Sequence, residues 1–381
     1  MKRMGIFLLA LALVVVCLPR TVNAAPAEVA AKSALLMDAA TGTIIYEQNA
    51  HEKLAPASVT KVMTMLLIME AIDEGRIGWD DMVTASEAAA AKGGSQIYLK
   101  VGETMTVTDM VKSIAVSSAN DCACAMAEHI AGSEAAFVDR MNARAAELGM
   151  NDTHFVNCTG LDDEANAAEH LTSAYDIAVM SRELLMNHPD IKKFTTIWMD
   201  TLRNGTFGLS NTNKLVRFYS GATGLKTGFT SNAGYCLSAS AQRDGMELIA
   251  VVMGSKTSQE RFTACKQLLD YGFANYALVI PETQGGEVAV KLGTSTAVKA
   301  VPAENSQLLI DKSQRSTVTT HIALEETVTA PVSKGQRLGT LTVKAGEQVL
   351  SQIPLVAAEP VQRLEWGEMF VKVLKQIAMA K

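Results

Sequence analysis

The stretch Glu247-Leu248-Ile249-Ala250-Val251-Val252-Met253 carries six apolar side chains in seven positions. A strand with one wet face alternates apolar and polar residues, so an unbroken apolar run means that both faces are covered. A second strand, Gly234 to Gln242, precedes it across Arg243-Asp244-Gly245, a turn that suits a hairpin. The chain must therefore build a sheet with a packed layer on each side.

The flanking segments supply those layers. Ser33 to Asp38 and Thr43 to Gln48 read as a hairpin across Ala39-Ala40-Thr41-Gly42, placed to join the later strands in one sheet. Helices are expected from Ser58 to about Ile72, from Thr108 to a break at Val116-Ser117-Ser118-Ala119-Asn120, and onward through Ala131. Others run from Ser133-Glu134 to Gly149, from Thr172 or Ser173 to about Asn187, and from Ser258 to Phe273. Residues 80 to 107 mix short strands and loops, and residues 194 to 232, rich in Thr, Asn and Gly, read the same way. The first unit is a mixed α/β domain over 25–275, with a central, mostly antiparallel sheet flanked by helices.

After Pro281 the character changes. Val, Thr and Gln dominate and short strands alternate with turns such as Ser333-Lys334-Gly335 and Lys344-Ala345-Gly346. This predicts a small all-β domain over 276–360. Over 361–381, Trp366, Met369, Phe370, Val373, Leu374 and Ile377 share one helical face, opposite Glu365, Glu368, Lys372, Lys375 and Gln376. Such a C-terminal amphipathic helix suits an in-plane anchor on the outer face of the cytoplasmic membrane, or a helix packed on its own domain.

At the other end, Lys2 and Arg3 precede an apolar run from Ile6 to Leu18. Val22-Asn23-Ala24 then offers a small-residue cleavage site. Residues 1–24 read as a signal peptide, which predicts an exported, extracytoplasmic protein, secreted or peripheral on the membrane. Export leaves Cys122, Cys124, Cys158, Cys236 and Cys265, an odd number, read as buried free thiols. No Cys/His spacing resembles a zinc site. A net charge of -6 argues against nucleic acid as a partner.

Chemistry enters at Pro56-Ala57-Ser58-Val59-Thr60-Lys61. Ser58 and Lys61 stand at i and i+3, on one face of a helix. A desolvated lysine can lose its proton and act as a base, and a hydroxyl beside it becomes a nucleophile. A Ser-x-x-Lys is expected about once by chance in a chain of this length; alone, Ser58 could be a helix cap and Lys61 a solvated side chain. Two further motifs follow in order: Ser118-Ala119-Asn120 at a break between helices, and Lys226-Thr227-Gly228 before the strand at Gly234. The ordered triplet Ser-x-x-Lys, Ser-x-Asn and Lys-Thr-Gly resembles the serine acyl-transferases that react with penicillin.

The likeness narrows further. Ala55-Pro56-Ala57-Ser58-Val59-Thr60-Lys61, Val116-Ser117-Ser118-Ala119-Asn120-Asp121, Phe155-Val156-Asn157 with Gly160-Leu161-Asp162, and Gly224-Leu225-Lys226-Thr227-Gly228-Phe229-Thr230 resemble the D-alanyl-D-alanine carboxypeptidases among the low-molecular-mass penicillin-binding proteins. The order of signal peptide, transpeptidase-like domain, β domain and terminal helix is similar too. The resemblance implies a substrate, a peptidoglycan stem peptide ending in D-Ala-D-Ala, and inhibitors, the β-lactam antibiotics. It implies Ser58 as nucleophile, Lys61 as base, Ser118 as proton relay, and Asn120 orienting Lys61 and the substrate amide. Lys226 and Thr227 would receive the terminal carboxylate, and Lys226 would help to keep Lys61 neutral. Gly228 would let the strand approach the substrate backbone. The N–H groups of Ser58 and Phe229 would form the oxyanion hole. Ser95 would line the cleft, Arg261 would lie near the carboxylate site, and Asp176 below the cleft. No metal or organic cofactor is implied, and none of the six histidines has a place in the mechanism.

Two departures bear on specificity: Thr212 stands where relatives often have arginine, and Phe229 where some have histidine. Two other readings share the motifs. A serine β-lactamase of the commonest class would resemble Ser-Asp-Asn and carry a downstream Glu-x-x-x-Asn, whereas this chain has Ala119 and Glu164-Ala165-Asn166-Ala167-Ala168. A non-catalytic penicillin-binding wall protein would not need all three motifs intact.

Overall fold

The computed structural model describes residues 28–163, 166–281 and 286–371. The predicted signal peptide lies outside them. In chain order the first strands are β1 (Ser33–Asp38) and β2 (Ile44–Gln48), then the short pairs β3 (Met82–Thr84) with β4 (Thr104–Thr106) and β5 (Met199–Leu202) with β6 (Phe207–Ser210). β7 (Ala222–Thr230), β8 (Gly234–Arg243) and β9 (Met246–Ser255) complete a five-stranded antiparallel sheet of order β2-β1-β9-β8-β7.

The apolar run lies in β9, between β1 and β8, as its composition requires. Ile249, Val251 and Met253 face one core, while Leu248, Ala250 and Val252 face the other. The larger core packs under the helices α1 (Lys61–Asp73), α2 (Val107–Ser117), α3 (Asn120–Ala131), α4 (Glu134–Glu147) and α5 (Ala174–Asn187). The second core packs under α6 (Ser258–Asn275), through Phe262, Leu268 and Leu269. α1 is apolar around its whole circumference and every residue from Lys61 to Met69 is buried, the mark of a helix surrounded by protein. Ser133 and Ser173 cap α4 and α5 with their hydroxyls, and Thr257 with Glu260 forms a capping box on α6.

Residues 194–232 hold the expected short strands, β5 and β6, but nine of these residues form one longer strand, β7. Its Thr and Gly content hides an edge strand held by its register with β8. Beyond α6, β10 (Tyr276–Val279) pairs with β13 (Leu308–Asp311). The remaining strands are β11 (Glu287–Lys291), β12 (Ala297–Pro302), β14 (Val318–Leu324), β15 (Thr327–Thr329), β16 (Arg337–Ala345) and β17 (Gln348–Ala357), in the order β14-β16-β17-β12-β11-β15. Alternate residues of these strands, among them Val288, Val290, Leu341, Val343, Ile353 and Leu355, fill a third core. Lys312 Nζ donates to the carbonyl of Phe273 at the end of α6 (2.8 Å), and Asn305 Nδ2 to that of Ala40 (3.2 Å), tying the two regions together.

The terminal helix begins later than expected. Val361 is buried in the third core and bridges Val332, so residues 361–364 belong to the β region. Residues 366–371 are helical, with Trp366 88% and Phe370 67% exposed. The rest of the predicted amphipathic face, from Lys372 on, lies outside the described residues. Among the described residues no helix is long and apolar enough to cross a membrane.

Candidate active site

Ser58 sits in a single tight turn, Ala57–Thr60, that leads directly into α1. It is not a helix cap, since no side chain caps either segment. Ala57 has φ 48°, a left-handed conformation that strains any residue with a Cβ. Two glycines accommodate the turn. A Cβ on Gly160 would meet the Ala57 oxygen at 1.9 Å, and one on Gly228 would meet the Pro56 oxygen at 2.6 Å. Gly228 is therefore demanded by the nucleophile's own turn, whatever the substrate backbone requires of it. The Ser58 N–H donates to no protein acceptor among the described residues.

Lys61 Nζ lies 3.0 Å from Ser58 Oγ and 2.8 Å from the carbonyl oxygen of Thr159. The lysine is wholly buried at the start of α1. Burial pushes it down to about 7, against the opposing pull of Cys158 and Asp121. Lys226 is equally buried and its ammonium donates to the carbonyl of Thr227 (2.9 Å). Burial also pushes Lys226 well below its ordinary range, and the Lys61 and Arg261 cations push in the same direction. Desolvation is thus the main reason that Lys61 loses its proton, and the two buried lysines each disfavour the other's charged form.

The break between α2 and α3 carries the middle motif. Ser118 ends α2 in the left-handed region (φ 64°) and is buried. Asn120 opens α3. Its N–H donates to the carbonyl of Ser95 (2.7 Å) and its Nδ2 to that of Gly93 (2.7 Å). Its Oδ1 is buried without a partner, an acceptor left open for an incoming donor. The next residue, Asp121, anchors the same loop by accepting the N–H groups of Ile97 (3.1 Å) and Leu99 (3.0 Å). Ser95 is exposed and touches Asn120 through its backbone alone.

A family model for D-alanyl-D-alanine carboxypeptidases matches residues 20–257, and a model for the C-terminal domain of penicillin-binding protein 5 matches residues 273–363. The D-alanyl-D-alanine carboxypeptidase DacF of Bacillus subtilis is 45% identical over 340 residues, 87% of this chain and 86% of that protein. The chain belongs to the D-alanyl-D-alanine carboxypeptidase family. DacC of Escherichia coli is 33% identical over 87% of this chain and 84% of its own length. Penicillin-binding protein 5 from Haemophilus influenzae superposes with a TM-score of 0.76 at 30% identity, over 90% of this chain and all of that one. Penicillin-binding protein D2 from Listeria monocytogenes, in its ampicillin-bound form, matches 65% of this chain and 99% of its own with a TM-score of 0.57 at 30% identity.

Against the pattern this carboxypeptidase family led us to expect, the remaining residues fall unevenly. Thr227 is buried and donates to Thr212 Oγ1 (2.7 Å). Phe229 is 52% exposed at the end of β7 and stacks on Tyr235 at 4.3 Å. Arg261 is buried, but its guanidinium donates to the carbonyls of Gly228 (2.8 Å) and Cys236 (3.3 Å), so it props the strand rather than presenting those N–H groups to a ligand. Asp176 ties Asp152 and Thr153 to α5. All five described cysteines are buried free thiols. The reading of the residues missed Thr159, which holds Lys61 through a carbonyl that any residue type would provide. It also missed Thr212 as the partner of Thr227, although the Asn211-Thr212-Asn213 departure marked the position.

Proposed function

We propose that Ser58 attacks the penultimate carbonyl of a stem peptide ending in D-Ala-D-Ala and that Lys61 is its general base. The observation that carries this reading is the pair itself: a wholly buried lysine, down to about 7, with its Nζ 3.0 Å from Ser58 Oγ. A base poised near neutrality can take the hydroxyl proton as the bond to carbon forms. Lys226 and the Thr227 hydroxyl receive the terminal carboxylate, and that anion raises the proton affinity of Lys226 and makes it the fixed cation of the site. The Ser58 N–H and that of Phe229 stabilise the oxyanion. Ser118 passes the proton to the departing amine, Asn120 Oδ1 accepts the substrate amide, and D-alanine leaves. Water then cleaves the ester on Ser58 and returns its proton through Lys61. A β-lactam enters by the same attack, and its ring-opened ester lingers. This makes penicillins inhibitors of the enzyme.

Release of D-alanine from diacetyl-Lys-D-Ala-D-Ala tests the reading. Wild-type enzyme should release it, Ser58→Ala should not, and mass spectrometry should place the penicillin adduct on Ser58. Release no greater than that of Ser58→Ala would defeat the assignment, and rapid release of hydrolysed benzylpenicillin would point to a β-lactamase.

The ends of the chain extend the proposal. Residues 1–24 direct export, the chemistry is contained in 25–275, the β domain spans 276–360, and the tail holds the enzyme on the outer face of the cytoplasmic membrane. The exposed Trp366 and Phe370 support such a tail. Removal of residues 365–381 should shift the enzyme from the membrane to the soluble fraction with peptide activity intact. A full-length enzyme already in the soluble fraction would exclude the anchor.

A further inference from the structure

Against the nucleophile turn lies a buried histidine that the mechanism does not use. His170 is 3% exposed. Its Nδ1 lies 3.1 Å from the backbone N of Val156, and its Nε2 lies 2.8 Å from Thr60 Oγ1. Thr60 Oγ1 in turn lies 2.8 Å from the carbonyl oxygen of Ala57. The directions of these three bonds are fixed by chemistry. A backbone N–H can only donate, so Nδ1 is bare and the ring proton is on Nε2. A carbonyl can only accept, so the single Thr60 proton goes to Ala57, and Thr60 Oγ1 accepts from Nε2. The relay therefore runs one way, from Val156 through His170 and Thr60 to Ala57. Burial holds the ring neutral, down to about 4, helped by the nearby His154 and Lys61 charges.

The relay ends on an informative atom. The Ala57 oxygen shares a planar peptide unit with the Ser58 N–H, and in a trans peptide the two point in opposite directions. Ala57–Ser58 is not among the cis bonds. Holding the oxygen toward Thr60 and Gly160 thus aims the Ser58 N–H the other way, and that N–H has no protein acceptor among the described residues. The left-handed Ala57 needs such a restraint, because the conformation is unfavourable by roughly 1–2 kcal/mol for a residue with a Cβ. We infer that His170, acting through Thr60, is a positioning residue that sets the direction of the Ser58 N–H as an oxyanion donor. The inference rests on Ser58 being the nucleophile proposed above.

The test uses the full-length enzyme with Thr60→Val, which keeps the volume and removes the relay's middle hydroxyl, and Thr60→Ser, which restores it. The readouts are the rate constant for acylation of Ser58 by benzylpenicillin, kcat and KM for D-alanine release, and the Kd of a peptide boronic acid that forms a tetrahedral adduct on Ser58. Removing an oxyanion donor outright costs about 10²- to 10³-fold and misaiming one should cost less, so Thr60→Val should lower acylation and kcat and weaken the boronate by roughly 10- to 100-fold, with KM nearly unchanged. Thr60→Ser should return all three to near wild type. His170→Gln, read in the same way, decides the matter should Thr60→Val fail to fold. Acylation and boronate affinity close to wild type in Thr60→Val would overturn the inference, as would equal losses in Thr60→Val and Thr60→Ser. Acylation needs the nucleophile, its base and the oxyanion donors, but no turnover of the peptide. It therefore reads the relay even in an enzyme that releases no D-alanine, a result that would count against the proposed function instead.

Discussion

Residues 28–275 bury Lys61, Lys226, Arg261, Asp121 and His170, whereas residues 286–361 bury no polar or charged side chain among those described. The β region follows the simplest rule for a sheet, with alternate apolar residues turned into one core. The first region obeys the same rule in β9 and breaks it around Ser58. Burying an ammonium group without a counter-charge is costly, and a protein built for stability alone would place an apolar side chain there. Two lysines in that condition, side by side, mark the region whose sequence is set by chemistry.

Removing the strongest breach should separate the two influences most sharply. Lys61→Met keeps the length of the side chain and discards the charge. Acyl transfer should fall by about 10²- to 10⁴-fold, the range for loss of a general base. Thermal stability should rise in the same variant, measured by Tm at pH 7. The sign follows from linkage: the buried Lys61 titrates near 7 and its unfolded counterpart near 10.5, so the unfolded chain binds more protons between those values. The penalty of burying Lys61 therefore shrinks as pH rises from about 7 to 10.5, and Lys61→Met should remove that part of the slope. In the wild type, kcat/KM should climb with pH through about 7, where Lys61 becomes a base, and then level off. A profile flat from pH 5 to 8 would exclude Lys61 as the group that titrates.

Lys226→Gln should have the next largest effect. A charge-assisted contact to the substrate carboxylate is lost, so kcat/KM should drop about 10- to 100-fold for a peptide with a free C-terminus. A peptide ending in an amide should be turned over equally by both enzymes, and equal losses on both substrates would mean that Lys226 does not read the carboxylate. Gly228→Ala comes third. The new methyl would meet the Pro56 oxygen at 2.6 Å and must displace the turn that holds Ser58. A shift of a few tenths of an ångström should lower acylation roughly tenfold.

The same contrast explains what was legible in the sequence. Pattern alone placed β9 at the centre, paired the N-terminal hairpin with the later strands, and found the β region, because in these parts burial follows hydrophobicity. The three motifs were legible through their order and resemblance. β7 was not, because Ala222-Thr223-Gly224-Leu225-Lys226-Thr227-Gly228-Phe229-Thr230 holds the polar and glycine residues that the site needs and an ordinary strand avoids. Arg261 was assigned to the right helix, and its contacts with the carbonyls of Gly228 and Cys236 were not legible, because spacing fixes the face of a helix and not the end point of a long side chain. His170 carries no pattern at all. Its partners, Val156 and Thr60, are 14 and 110 residues distant in sequence, and two of the three bonds in its relay involve backbone atoms that any residue type would supply.

The smallest effect on activity should come from the opposite kind of substitution, in the region without buried charges. Leu341 is fully buried on β16, opposite Ile353 of β17 and beside Val343 in the third core. Leu341→Ala removes apolar volume from a tightly packed site, which typically costs about 2–5 kcal/mol in local stability. The side-chain hydrogen bonds between the two regions run from Lys312 to Phe273 at the end of α6 and from Asn305 to Ala40, and neither residue bonds Leu341. Denaturation should therefore show a β region that melts earlier, while kcat/KM for the peptide and the penicillin acylation rate remain at the wild-type value. A matching loss of acylation would mean that the packing of the β region reaches the Ser58 turn, and the division between a region built for chemistry and one built for packing would fail.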